Sequence, residues 1–247
     1  MRWLRNQLKK IEWFRVFVVR TRWLVETLCS RWWNDTEVSV DHSHTIEEWD
    51  FETPGATERN NILFEQISKH SDKDNESRVF ELGCADGVFT KQLSERFAHV
   101  MAVDISSVGL VRAQKRCAGI VNIEYVKFDV QQDAIPLVGD AMYDIIFAMD
   151  VLEFVRGRAQ LTRVVDKLLS TLTSGGLFVF SACRAIPEIR EAWWQGWLPE
   201  GGEAHLKYFT QRADLAVQFT ELHPKNEIDL PGYPVHVLGV FKKTDPR

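Results

Sequence analysis

The most informative spacing in the chain is an acid that closes an apolar run and is followed by two glycines four residues apart. Glu81 sits in Val79-Phe80-Glu81-Leu82, Gly83 comes directly after, and Gly87 precedes Val88-Phe89-Thr90. A glycine at a strand end lets the backbone turn sharply and lets a ligand approach closely. A glycine heading the next helix leaves exposed N–H groups and a partial positive charge that favour a polar or anionic ligand group. The stretch therefore reads as a cofactor cradle. A dinucleotide fingerprint, G-x-G-x-x-G, beginning at Gly83 requires glycine at positions 85 and 88, where Ala85 and Val88 stand, so a pyrophosphate cradle is disfavoured. Cys84, inside the loop, is read as a small loop residue and not as a nucleophile, because no catalytic partner accompanies it. Acids also end later apolar runs: Asp104 in VMAVDIS, Asp129 in VKFDVQ and Asp150 in FAMDVLEF, with Glu153 close behind. Acids at such places also cap helices and form turns, and both readings stay open for Asp104 and Asp129.

These residues need a frame that brings strand ends together. Short apolar runs predict strands at 78–82, 99–104, 122–128, 143–149 and 176–183, separated by helices near 87–97, 107–117 and 158–173. Such a βαβ series implies a parallel sheet covered on both faces, which binds ligands at the carboxyl ends of its strands where the strand order reverses. Upstream, Thr57 is expected to cap a helix carrying Ile62, Leu63, Gln66 and Ile67. With 247 residues and 45% hydrophobic composition the chain can bury one substantial core. The expected organisation is a basic, Trp-rich helix and linker over 1–45 and one catalytic domain over 46–247.

Taken together, the motifs resemble those of class I S-adenosylmethionine-dependent methyltransferases. The likeness runs in order through ELGCADG, VMAVDIS, VKFDVQ, YDIIFAMDVLEF and TSGGLFVFS, over roughly Glu76 to Ala182. It implies an α/β fold, a Rossmann-like doubly wound sheet of seven strands. The last strand would be antiparallel, Val235 to Lys243, beside a strand near Glu227 to Leu230. It also implies S-adenosyl-L-methionine as cofactor, with Glu81 and Gly83 near its amino-acid part, Asp104 on the ribose hydroxyls and Asp129 near the adenine amino group. Cys84, Ala85, Gly87, Ile105, Val130 and Met149 complete the implied cofactor contacts, Ala85 standing where many members have glycine.

On the acceptor side the resemblance points to Asp150, Glu153 and the segment after the fifth strand. There Trp193, Trp194 and Trp197 suit either stacking on a ring or sugar face or a local hydrophobic cluster, and Gly201-Gly202 permits movement as a lid. His205 is the expected general base, since a neutral imidazole takes a proton at cellular pH, and Asp150 is the alternative. A narrower likeness, carried by Trp49-Asp50-Phe51 to Arg59, is to nodulation-type S methyltransferases, which N-methylate an amino sugar of a lipo-chitooligosaccharide precursor. It implies a small-molecule or saccharide acceptor, in that case lipid-linked.

Charge divides the chain unevenly. Residues 1–33 hold eight Lys or Arg against two Glu, so the net charge of −5 is +6 there and −11 over the remainder. The same segment carries Trp3, Trp13, Trp23, Trp32 and Trp33, with Leu4, Leu8, Ile11, Phe14, Val18, Val25 and Leu28 at helical spacing. Its apolar runs are too short for a transmembrane span or a cleavable signal. It suits an interfacial helix on an anionic membrane, or a helix packed on its own domain or on a second copy in a homodimer. The acidic remainder disfavours a nucleic-acid methyltransferase, whose surface should be basic. A non-catalytic scaffold on the same fold is the other reading. Four cysteines at 29, 84, 117 and 183 contain no CxxC pair, and His42 and His44 beside Asp41 read as solvated. No metal is expected, and a reducing, cytoplasmic compartment fits, with peripheral contact at the inner membrane face through residues 1–33.

Overall fold

The computed structural model describes residues 52–71, 76–137, 139, 141–155, 158–184, 201–224 and 235–244. The expectations for residues 1–51, the Trp193 to Trp197 segment and the strand at 227–230 lie outside the described residues.

Helix α1 (Pro54–His70) opens where the Thr53 side chain accepts the Ala56 N–H at 3.1 Å and Pro54 takes the first position, where no N–H is needed. Thr53 is thus the cap, and Thr57, expected in that role, lies inside the first turn. The chain continues through β1 (Arg78–Leu82), α2 (Val88–Ser94), β2 (His99–Asp104), α3 (Ser107–Arg116), β3 (Ile123–Lys127) and β4 (Tyr143–Met149). A 3-10 turn (Leu152–Phe154) precedes α4 (Arg158–Ser170), β5 (Leu172–Cys183), α5 (Gly201–Thr210), β6 (Leu215–His223) and β7 (His236–Lys243).

The seven strands lie in the order β3-β2-β1-β4-β5-β7-β6. The first five are parallel; β7 runs antiparallel between β5 and β6. The partner of the last strand is therefore Leu215–His223. Its apolar residues alternate with Gln218, Thr220 and Glu221, the polar pattern of an edge strand, which hides it from a search for continuous apolar runs. The strand β5 also starts earlier than expected: Tyr143 pairs with Leu172 but Ile145 with Leu177, so Gly175 and Gly176 form an irregularity within the strand and not a turn before it.

Central strands are buried on both faces, as a parallel sheet sandwiched by helices requires. On one face Phe80, Ile146, Phe178 and Phe180 pack with Leu161, Val164 and Leu168 of α4 and Phe209 of α5. On the other, Val79, Ile145, Phe147 and Val179 pack with Leu63 and Ile67 of α1, Leu93 of α2 and Ala113 of α3. The strand order reverses between β1 and β4, and their carboxyl ends carry the Glu81 loop and Asp150. Among the described residues no helix is long and apolar enough to cross a membrane.

Candidate active site

After β1 the chain folds back onto β2, the N–H groups of Gly83 and Cys84 donating to the Val103 carbonyl at 2.8 and 2.9 Å. Three of the next residues are left-handed: Gly83 at φ 80°, Ala85 at 47° and Gly87 at 85°. A Cβ on Gly83 would lie 3.0 Å from Val151 Cγ2, and one on Gly87 only 2.7 Å from the Ala113 backbone. The second glycine is thus needed to seat the head of α2 against α3. Ala85 holds its conformation with an N–H donated to Asp104 Oδ2 at 2.8 Å, while Asp104 Oδ1 accepts the Ser106 N–H at 2.8 Å. The cap of α3 is Ser106, whose hydroxyl accepts the Gly109 N–H, so Asp104 is a fastener between two loops and not the helix cap. Each of its oxygens keeps a second lone pair for a ligand.

Glu81 is buried, and its Oε2 has no hydrogen-bond partner. Burial pushes its carboxyl up to about 8, the nearby Thr90 offsetting this only in part and Asp104 adding to it. Burial, with Glu81 and Asp104 beside it, also pushes the Cys84 thiol up, which agrees with an inert loop residue. Past β2, Ile105 is exposed. At the end of β3, Asp129 accepts from the Gln131 N–H at 2.8 Å and from Gln132 Nε2 at 2.6 Å, so it forms a turn, as the alternative to its cofactor reading expects. Val130, held through its carbonyl by Lys167, and Met149 at the end of β4 are half-buried.

A second group gathers where β4, β5 and β7 meet. Asp150 is left-handed at φ 50°. Its N–H donates to the Ser181 carbonyl, and the Ser181 hydroxyl returns a bond to Oδ1 at 2.7 Å. Oδ2 pairs with the Arg59 guanidinium from α1 and lies 3.5 Å from His236 Nε2. His236 enters because β7 is antiparallel: its first residue stands opposite Cys183, the last of β5, with Nε2 at 3.5 Å from the Cys183 sulfur. Burial would raise the Asp150 carboxyl, but Arg59, His236 and Ser181 outweigh it and hold it below its ordinary value. Glu153 receives at Oε1 a long bond, 3.5 Å, from the Cys183 N–H, with its own backbone N–H also beside the carboxyl, and its Oε2 is enclosed without a partner. Burial first, then the charge of Asp150, pushes its carboxyl up to about 8.

The structure thus joins Asp150 and Glu153 and adds Arg59 and His236. Arg59 was legible in principle: with Leu63 and Ile67 it shares the buried face of α1, where an arginine needs a partner. His205 lies on α5, buried, its Nδ1 3.1 Å from the Gly201 carbonyl and its ring 6.1 Å from Phe180. Burial lowers its pKa, against the backbone of Gly201 and Leu152, and Leu152 is its link to the Glu153 turn. Gly202, expected as a pivot, is pressed against β5, where a Cβ would lie 2.8 Å from the Ala182 carbonyl.

A family model described as a methyltransferase domain matches residues 56–222, more than half of the chain. Nodulation protein S of Rhizobium tropici is 29% identical over 108 residues, 44% of each chain, so the alignment spans less than half of that relative. The ubiquinone biosynthesis O-methyltransferase of Aeromonas salmonicida is 24% identical over 193 residues, 75% of this chain and 73% of that one. The crystal structure of N-methyltransferase NodS from Bradyrhizobium japonicum in complex with S-adenosyl-L-homocysteine superposes with a TM-score of 0.65 at 21% identity, covering 80% of this chain and 92% of that one.

Proposed function

Since the chain belongs to the methyltransferase-domain family and takes S-adenosylmethionine as its methyl donor, we propose that it methylates an amine or hydroxyl of a small molecule or saccharide. The acceptor is received at the carboxyl ends of β4 and β5. When bound, S-adenosylmethionine supplies a sulfonium methyl that is already electrophilic. The residues at the ends of β1 and β2 fit it: Glu81 offers an enclosed, unpartnered carboxylate oxygen to a cationic donor, and Asp104 offers two further acceptor sites to a diol.

The observation that carries the acceptor side is the buried polar group of Arg59, Asp150, Ser181, Glu153 and His236. Buried polar groups are normally satisfied, and an enclosed carboxylate oxygen without a donor suits a place for a polar ligand. The amine and hydroxyl alternatives follow the two kinds of relative, an N-methyltransferase and an O-methyltransferase. Most of the rate comes from holding the acceptor in line and excluding water, worth about 7 to 11 kcal/mol. Asp150, tied to Arg59 and Ser181, fixes geometry and charge there.

Calorimetry with S-adenosylmethionine tests the reading first. The wild type should bind, and Gly83→Val should not, because a left-handed strand end facing Val151 tolerates no branched side chain. A labelled methyl donor offered with pools of amines, alcohols and saccharides should then transfer label. Binding without transfer to any pool would support the scaffold alternative, and no binding would end the methyltransferase reading.

A further inference from the structure

We propose that Glu153 receives the proton that the acceptor gives up, with Asp150 as the fixed anion beside it. This deepens the methyltransferase reading and rests on it. The geometry separates the two acids. Both oxygens of Asp150 are engaged, one by Ser181 and one by Arg59, so Asp150 is committed to its present partners. Glu153 has a long contact from the Cys183 N–H at Oε1 and its own backbone N–H beside the carboxyl, while Oε2 is enclosed without a partner. A buried carboxylate oxygen without a donor is costly, and the donor that would satisfy it is the N–H or O–H of an acceptor.

The groups acting on Glu153 are Arg59 of α1, Asp150 at the end of β4 and the Cys183 backbone of β5; His236 of β7 lies against Asp150 and Cys183, and His205 of α5 against the Leu152 backbone. Burial and the Asp150 charge together outweigh Arg59, and they bring Glu153 to about 8. A base works best when its pKa lies near the working pH. His205 also has an enclosed ring nitrogen without a partner, Nε2, but its Nδ1 is tied to the Gly201 carbonyl and burial lowers its pKa away from that range.

The same arrangement selects an amine. An ammonium entering beside the Glu153 carboxylate passes a proton to Oε2, and both charges vanish from a place where charge is expensive. The nitrogen lone pair is thereby freed. It forms the N–C bond to the methyl while the S–C bond breaks and leaves its electron pair on sulfur. A hydroxyl gains nothing comparable, since its transfer only moves a negative charge from one buried oxygen to another beside Asp150.

The titration of Glu153 can be followed without knowing the acceptor, by carbon NMR of carboxyl-labelled glutamate with the Glu153→Gln variant as the assignment. In the ligand-free protein its midpoint should lie near 8, and methylammonium chloride should raise it, the carboxyl holding the transferred proton, while methanol leaves it in place. A midpoint in the ordinary range, about 4.3, or one indifferent to methylammonium overturns the proposal. With an amine found by the labelled-methyl screen, Glu153→Gln should cut kcat by about 10² to 10⁴ with S-adenosylmethionine affinity unchanged. Its rate should also lose the alkaline rise that the wild type shows toward pH 8. A variant keeping most of the rate, or a loss confined to His205→Ala, assigns the proton elsewhere. Failure of the wild type to bind S-adenosylmethionine is a different result: it ends the methyltransferase reading and leaves the Glu153 titration standing.

Discussion

A carboxyl group that prefers its proton at neutral pH is a poised sensor of positive charge, and Glu81 is one. Its raised value of about 8 means that it contributes stability fully below its unfolded value, and that this contribution is lost as pH rises toward 8. A cation placed beside it reverses the preference. Binding of S-adenosylmethionine at pH 7 should therefore release a proton, seen as a dependence of the calorimetric enthalpy on the ionisation enthalpy of the buffer. Glu81→Gln should abolish that dependence; equal enthalpies for the wild type in phosphate and Tris would refute it. At this scale the sequence was most legible where a residue type is rare in its setting. An acid inside an apolar run and a glycine at a strand end mark Glu81 and Gly83 directly. His236 carried no such mark, because its position beside Asp150 depends on the direction and register of β7, which only the assembled sheet specifies.

Helix α1 is joined to the sheet by one buried ion pair as well as by Leu63 and Ile67, and the pair lies at the acceptor side. Removing one member of such a pair strands the other as an uncompensated charge, at about 3 to 5 kcal/mol, whereas replacing both costs far less. Arg59→Met should accordingly destabilise the protein in urea by about that amount, and Arg59→Met combined with Asp150→Asn should be the more stable of the two. Asparagine also tolerates the left-handed backbone at position 150. Equal or additive losses would show that the pair carries no such energy. The Asp150 contribution is present above its unfolded value, about 3.9, and is lost as pH falls through its lower folded value, so Arg59→Met should move acid unfolding to higher pH. Among elements, the parallel strands β1, β2, β4 and β5 were readable from their apolar runs, and β3 from a shorter run broken by Glu124. Strand β6 was not, since one face of it is polar, and the start of α1 was shifted because Pro54 allows Thr53 to cap a turn earlier.

For the whole molecule the uneven charge gives a separate test. Residues 1–33 lie outside the described residues, but their net +6 and five tryptophans suit attachment to an anionic surface. The full chain should sediment with phosphatidylglycerol liposomes and be released by salt, since the attraction is screened over about 8 Å at physiological ionic strength. A chain beginning at Asp41 should remain in the supernatant and still bind S-adenosylmethionine; its failure to fold would instead indicate a helix packed on protein. The position of β7 has a consequence in time. During synthesis β6 leaves the ribosome before β7, yet in the sheet it lies beyond it. Until His236–Lys243 emerges, β5 keeps an open edge and β6 has no neighbour. A nascent chain halted after Pro224 would thus offer bare strand edges to chaperones or to other chains. The insertion that ends this vulnerable interval also delivers His236 to Asp150, so the buried polar group at the end of β4 is assembled by the same event that closes the sheet.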